Sequence, residues 1–153
     1  MNAPASDFLP HTPPMLLIRT LLDVTADSVL CETTLNDAVL PFLDPAGALP
    51  SWFLIEMMAQ SIGVWAGWHD HARNIAVQSG LLLGCRQFEC AQPSLPLGSR
   101  LRITARKLVE DNGTGSFEAH VFLCDANAET PVASATLTTH QTSWEHLESL
   151  LVR

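Results

Sequence analysis

Positive charge is scarce in this chain: eight Lys and Arg stand against sixteen Asp and Glu, a net charge of −8. Phosphate contacts need a basic surface, so nonspecific nucleic-acid binding is excluded. Charged residues of both signs are only 16% of the sequence and hydrophobic ones 47%, a globular rather than a disordered composition. None of the cysteines, Cys31, Cys85, Cys90 and Cys124, falls in a C-x-x-C pair. The opening MNAPASDFLP has no basic n-region and no apolar h-region. The expectation is therefore a cytoplasmic protein with free thiols. Internal repeats and low-complexity stretches are also missing. The 153 residues suit one domain with its own core, expected to span 1–153.

What the chain does contain is one long apolar run, SWFLIEMMAQSIGVWAGWHDH, over residues 51–71. A helix apolar on nearly all sides belongs inside a protein or a membrane. A membrane span is not expected, because a central Glu56 and Gln60 oppose it. Glu56 and Gln60 are i and i+4, so they share one helix face. A carboxylate in such surroundings is costly unless it is paired, solvated through a cleft, or used. Glu56 is thus the first candidate functional residue; the alternatives are pairing with an arginine or capping a neighbouring chain end.

Around this helix the pattern reads as strands. Residues 1–14 are expected to be irregular, with prolines at 4, 10, 13 and 14. MLLIRTLLDV (15–24) and SVLCETTL (28–35) read as strands joined through Ala26–Asp27. AVLPFLDPAGALP (38–50) reads as a Pro/Gly-broken loop, with Ser51 as the N-cap of the helix. SGLLLGCRQFEC (79–90) is a strand interrupted at Gly84, and PSLPLGS (93–99) a turn. RLRITARKLVE (100–110) alternates as a half-exposed strand does. DNGTG (111–115) signals a hairpin into SFEAHVFLCD (116–125), and PVASATLTTH (131–140) is the last strand. A short terminal helix is expected within 141–153, over Ser143–Leu151. One helix wrapped by a curved, mostly antiparallel sheet would hide the apolar run, an α+β architecture.

Several of these segments resemble a known family. LPHTPPMLLI (9–18) is similar to the opening of hotdog-fold 3-hydroxyacyl-acyl-carrier-protein dehydratases. IEMMAQSIG (55–63) resembles their central-helix motif, PLGSRLRI (96–103) their Pro-Gly-Asp turn and strand, and VASA (132–135) their closing strand. LPSWFLIEMMAQSIGVWAGWH (49–69) looks closer still to the dehydratase-like component of aryl-polyene clusters. The resemblance implies a hotdog dimer, homodimeric or paired with a related hotdog subunit. It implies an acyl carrier protein as partner, with the acyl chain on a phosphopantetheine arm and no cofactor of the protein's own. One departure stands out. The family's catalytic histidine lies in a Gly-His-Phe-Pro-Gly loop before the glutamate; here that region is LPFLDPAG (40–47), with Phe42 or Leu43 in its place. No histidine lies between Thr12 and Trp68.

Dehydrating a 3-hydroxyacyl thioester needs a base for the α-proton, an acid for the departing hydroxyl, and donors for the enolate oxygen. A helix N-terminus supplies such donors, which places Ser51, Trp52 and Phe53 at the substrate. An apolar tunnel favours the proton-bearing carboxyl, so Glu56 is the candidate acid, with Gln60 orienting it. Phe42 and Gly84 are further substrate-binding candidates. For the base, His11 matches the family's Leu-Pro-His, where the residue is structural. His69 and His71 end the helix, where a histidine is commonly a dipole partner. A partner subunit is the other source of the missing histidine. No metal site is expected, since His69 and His71 cannot share one helix face. Asp44 is either a turn residue beside Pro45 or a carboxylate for thioester hydrolysis. Arg100, Arg102 and Arg106 share one strand face and form a candidate landing stripe for an acidic carrier protein; the alternative is a solvated sheet face. Two functions besides dehydration stay open: an acyl thioesterase, and a noncatalytic acyl-binding partner of an active dehydratase.

Overall fold

The computed structural model describes residues 1–142, so the expected terminal helix lies outside the described residues. Among the described residues one α-helix, α1 (Phe53–Ala72), lies across a seven-stranded sheet. The sheet strands are β1 (Ala3–Pro4), β2 (Thr20–Val24), β3 (Ser28–Thr34), β5 (Ser79–Cys90), β7 (Arg100–Asp111), β8 (Thr114–Cys124) and β9 (Glu129–Thr142). Their spatial order is β1-β2-β3-β7-β8-β9-β5, and every pair is antiparallel. Two short strands, β4 (Ala48–Pro50) and β6 (Ser94–Pro96), pair separately. This is the α+β hotdog arrangement that the resemblance implies. No helix among the described residues is long and apolar enough to cross a membrane.

Alternation builds the core. Along β3, Val29, Cys31 and Thr33 point inward, and along β7 Leu101, Ile103 and Ala105 do. Leu54, Met57, Met58, Ile62, Val64 and Trp65 of α1 pack against them, together with Leu21, Phe117, Ala119 and Leu137. Burial pushes the Cys31 thiol up to about 12, outweighing a hydrogen bond from Ser61 that lowers it. The β7–β8 turn follows from Asn112-Gly113, both at positive φ (52° and 82°), the backbone that a two-residue hairpin turn demands.

Five local expectations are corrected. Residues 1–14, expected to be irregular, hold β1 and a 3-10 turn, Ala5–Asp7, because β1 pairs with β2. The strand expected from residue 15 begins at Thr20. The preceding backbone faces the helix instead: Leu17 N–H and Met15 C=O are taken by the Gln60 side chain, and Leu17 C=O by Thr33 Oγ1. The segment 93–99, expected as a turn, contains β6, because pairing with β4 buries Leu49 and Leu95. The loop before the helix holds a 3-10 turn, Asp37–Phe42, capped by the Asn36 side chain accepting from Ala38 N–H. Ser51 is not the N-cap; Trp52 is, in helical conformation and without a side-chain cap. The first turn closes early through Leu54 N–H to Ser51 C=O, 3.0 Å, so backbone carbonyl does the work expected of a hydroxyl.

Candidate active site

One face of α1 carries Glu56, Ala59, Gly63 and Ala66, spaced at helical turns. They form one wall of a cavity of about 100 Å³, completed by Leu9 and His11 of the N-terminal segment and by residues of β5 and β9 such as Leu81 and Thr139.

Gln60 is 1% exposed and its amide is fully used. Its Oε1 accepts from Leu17 N–H at 2.9 Å. A backbone N–H can only donate, so the oxygen and nitrogen of this amide are fixed. Its Nε2 then donates twice, to Met15 C=O at 2.6 Å and to Glu56 Oε1 at 3.0 Å. Glu56 Oε1 is therefore held as an acceptor. A proton on this carboxyl would sit on Oε2, for which no protein hydrogen bond is formed among the described residues. The Glu56 side chain is 36% exposed, so this chain alone leaves the expected tunnel open on its outer side.

His11 reaches the same oxygen from the opposite direction, its Nε2 lying 3.9 Å from Glu56 Oε1. That is ion-pair range and longer than a hydrogen bond. Two glycines explain how a residue 45 positions away comes so near. A Cβ on Gly67 would stand 2.1 Å from the Phe8 carbonyl oxygen, and one on Gly63 2.9 Å from Leu9 Cδ2. Phe8 and Leu9 thus lie directly on the helix backbone, and the chain from them delivers His11 beside Glu56. Gly63 and Gly67 lie four apart on one helix face, a spacing that permits a close backbone approach without specifying which segment makes it.

The other sequence candidates lie elsewhere. His69 does not reach the site: its Nε2 meets Thr25 C=O at 2.9 Å in the β2–β3 turn, because it projects toward that side of α1. His71 packs edge-on against Phe8. Ser51, Trp52, Phe53 and Phe42 gather at the start of α1, with Trp52 stacked on Phe53 (4.1 Å between centroids) and Phe53 against Phe42 (4.9 Å). There Ser51 N–H is bound to Pro93 C=O, and the amides of Leu54 and Ile55 to Ser51 and Trp52 C=O. The amides of Trp52 and Phe53 are left as the donors of this helix end. Gly84 lies in β5 beyond the cavity wall, which includes Gly80 instead. Asp44 holds its own turn, Oδ1 accepting from the amides of Ala46 and Ala48 at 2.9 and 3.0 Å.

Arg100, Arg102 and Arg106 do share the outer face of β7. Carboxylates from neighbouring strands share it with them: Arg102 pairs with Glu32 at 3.1 Å and Glu129 at 2.8 Å, and Arg106 with Glu118 at 3.3 Å. The His120 hydrogen bond, helped by Arg106, holds the Glu118 carboxyl below its ordinary value. Arg100 has no carboxylate within ion-pair distance among the described residues. Among the described residues no three His, Cys, Asp or Glu side chains stand together as a metal site.

Comparison with known proteins gives four findings. A family described as ApeP-like, ApeP dehydratase, matches residues 3–151. A chain of the dehydratase heterocomplex ApeI:P from Xenorhabdus doucetiae is 37% identical, with 99% of each chain covered and a TM-score of 0.90. A hypothetical thioesterase protein with coenzyme A from Streptococcus pneumoniae TIGR4 is 15% identical over 80% of this chain and 84% of that one, TM-score 0.58, a likeness of fold alone. No curated protein matches the sequence.

Proposed function

We propose, from the premise that this chain belongs to the ApeP-like dehydratase family, that it removes water from a 3-hydroxyacyl thioester carried on acyl carrier protein, giving the 2-enoyl thioester. It does so as one half of a heterodimer with a related hotdog subunit, in polyene or fatty-acyl synthesis in the cytoplasm. The observation that carries this reading is the state of Glu56: one oxygen is held by a fixed amide donor and the other is free on a cavity wall.

In this reading Glu56 Oε2 gives its proton to the departing 3-hydroxyl, which leaves as water. The α-proton goes to a base, and the electron pair left on the α-carbon forms the double bond. The amides of Trp52 and Phe53, about one turn or 5 Å before Glu56 along the axis, hold the thioester carbonyl oxygen as charge develops on it. The base comes from the partner, because loop 40–47 contains no histidine. Dimerisation uses the outer side of α1 and the edge of β5, which no strand among the described residues covers and where Leu82 and Leu83 are 40% and 57% exposed. A twelve-residue apolar strand at a sheet edge is a template for another chain. The ApeI:P protein of Xenorhabdus doucetiae is itself a heterocomplex. Phosphopantetheine arrives on the carrier. Arg100, Arg102 and Arg106 are its landing stripe, with Arg100 the member that no carboxylate among the described residues pairs.

The test is to give a 3-hydroxyacyl carrier protein to this chain alone and with a related hotdog subunit, and to follow water loss by mass spectrometry. Enoyl product only in the mixture supports the reading. Enoyl product from the chain alone would remove the need for a partner base, and release of free acid would indicate a thioesterase. The missing loop histidine also favours a noncatalytic acyl-binding subunit. That reading predicts that Glu56→Gln leaves the mixture fully active.

A further inference from the structure

The N-terminal segment reaches the helix without any residue that the proposed reaction consumes. Its path is nonetheless closely determined. Phe8 is seated on Gly67 and Leu9 on Gly63, while Met15 and Leu17 are tied to Gln60. Between these anchors lies His11, with Nε2 toward Glu56 Oε1. The other ring nitrogen, Nδ1, is buried and has no hydrogen-bond partner among the described residues. A buried N–H without an acceptor is among the least tolerated states of a polar group, and an unmet lone pair is tolerated better. The ring therefore carries its hydrogen on Nε2, the nitrogen that faces the carboxylate.

From this we infer that His11 is a positioning residue for Glu56 and that Gly67 is the seat that puts it there. The inference rests on the dehydratase reading above. Gln60 Nε2–H and His11 Nε2–H converge on the same oxygen, so together they fix the plane of the carboxyl and keep its mobile proton on Oε2. The 3.9 Å separation closes to a hydrogen bond when substrate and partner cover the cleft, as contacts around a reacting group commonly do. His11 takes no proton from substrate in this account. It is a donor through Nε2 only, and Nδ1 has no part.

That asymmetry gives the test. A glutamine at position 11 places an amide nitrogen where Nε2 lies, whereas an asparagine places one where Nδ1 lies. In the complex with the partner subunit, His11→Ala and His11→Asn are expected to lower kcat about tenfold with KM little changed, and His11→Gln to stay within about threefold of the parent. Loss with all three substitutions would make the imidazole itself the base and overturn the inference; retention with His11→Ala would overturn it too. Gly67→Ala sets its Cβ against the Phe8 backbone, so the segment that carries His11 must shift as a whole. It should reproduce the His11→Ala loss and add nothing to it in the double variant. Gly63→Ala meets only the end of the Leu9 side chain and should cost far less. Additive losses for Gly67→Ala and His11→Ala would remove Gly67 from the account.

A readout without turnover separates this inference from the dehydratase reading. Nitrogen NMR of the chain, with His11 assigned by its disappearance in His11→Gln, should show hydrogen on Nε2. That signal should shift in both Glu56→Leu and Gly67→Ala. Hydrogen on Nδ1, or an unmoved signal, contradicts the positioning role even in an inactive complex; the expected shifts in an inactive complex would support it while the dehydratase reading failed.

Discussion

Two carboxylates on one helix have opposite fates. Asp70, near the C-terminal end of α1, is 3% exposed, and both of its oxygens are occupied: Arg73 Nη2 donates to Oδ1 at 3.0 Å, and Gln141 Nε2 donates to Oδ2. Glu56, in the first turn, is 36% exposed and has one oxygen held and one free. The helix dipole sharpens the contrast. It favours an anion at the N-terminal end and opposes one at the C-terminal end, so Asp70 needs both partners merely to be tolerated. Glu56, at the other end, is left half unsatisfied. A buried acid with both oxygens bonded is a fastener; a half-met acid on a cavity wall is available for chemistry.

If that contrast is correct, stability and activity should separate along the helix. Gln60→Ala should have the largest effect on stability. It leaves a cavity and strands Leu17 N–H and Met15 C=O, a loss of about 3 kcal/mol that lowers Tm by roughly 6–12 °C in thermal melts. Asp70→Ala comes next. It leaves Gln141 and Arg73 without their acceptor and should cost about 2 kcal/mol, while the dehydration rate per folded molecule stays near the parent value. Arg102→Ala breaks two outer-face ion pairs and should cost less than about 1 kcal/mol, readable in urea unfolding. Glu56→Gln should be smallest, within about 0.5 kcal/mol, because a carboxamide oxygen still accepts from Gln60. A Glu56→Gln loss as large as that of Asp70→Ala would erase the distinction between the two acids.

Local patterns carried most of the fold into the sequence. The apolar run marked α1 to within two residues at its start, Glu56 and Gln60 shared a face by spacing alone, and Asn112-Gly113 marked the β7–β8 hairpin. Contacts between distant segments were not legible. Leu49 meets Leu95 across β4 and β6, and no periodicity in two proline-rich stretches announces that pairing. Arg100, Arg102 and Arg106 read as a basic stripe because Glu32, Glu118 and Glu129, which share its face, lie on other strands. Met15–Leu17 has the composition of a strand, yet its backbone is diverted to Gln60. In the site, Glu56 and Gln60 were legible as a pair. The place of His11 depended on how Phe8 meets Gly67, a contact across 59 positions that a glycine permits but does not specify.

The most direct test of the central claim is the single-turnover rate of dehydration by the Glu56→Gln chain, assembled with its partner subunit and given a 3-hydroxyacyl carrier protein. The account predicts an intact complex that forms enoyl product about a hundredfold or more slowly, the usual loss when a general acid is removed. Enoyl product at the parent rate would contradict it, and would make the free oxygen of Glu56 a bystander to the chemistry.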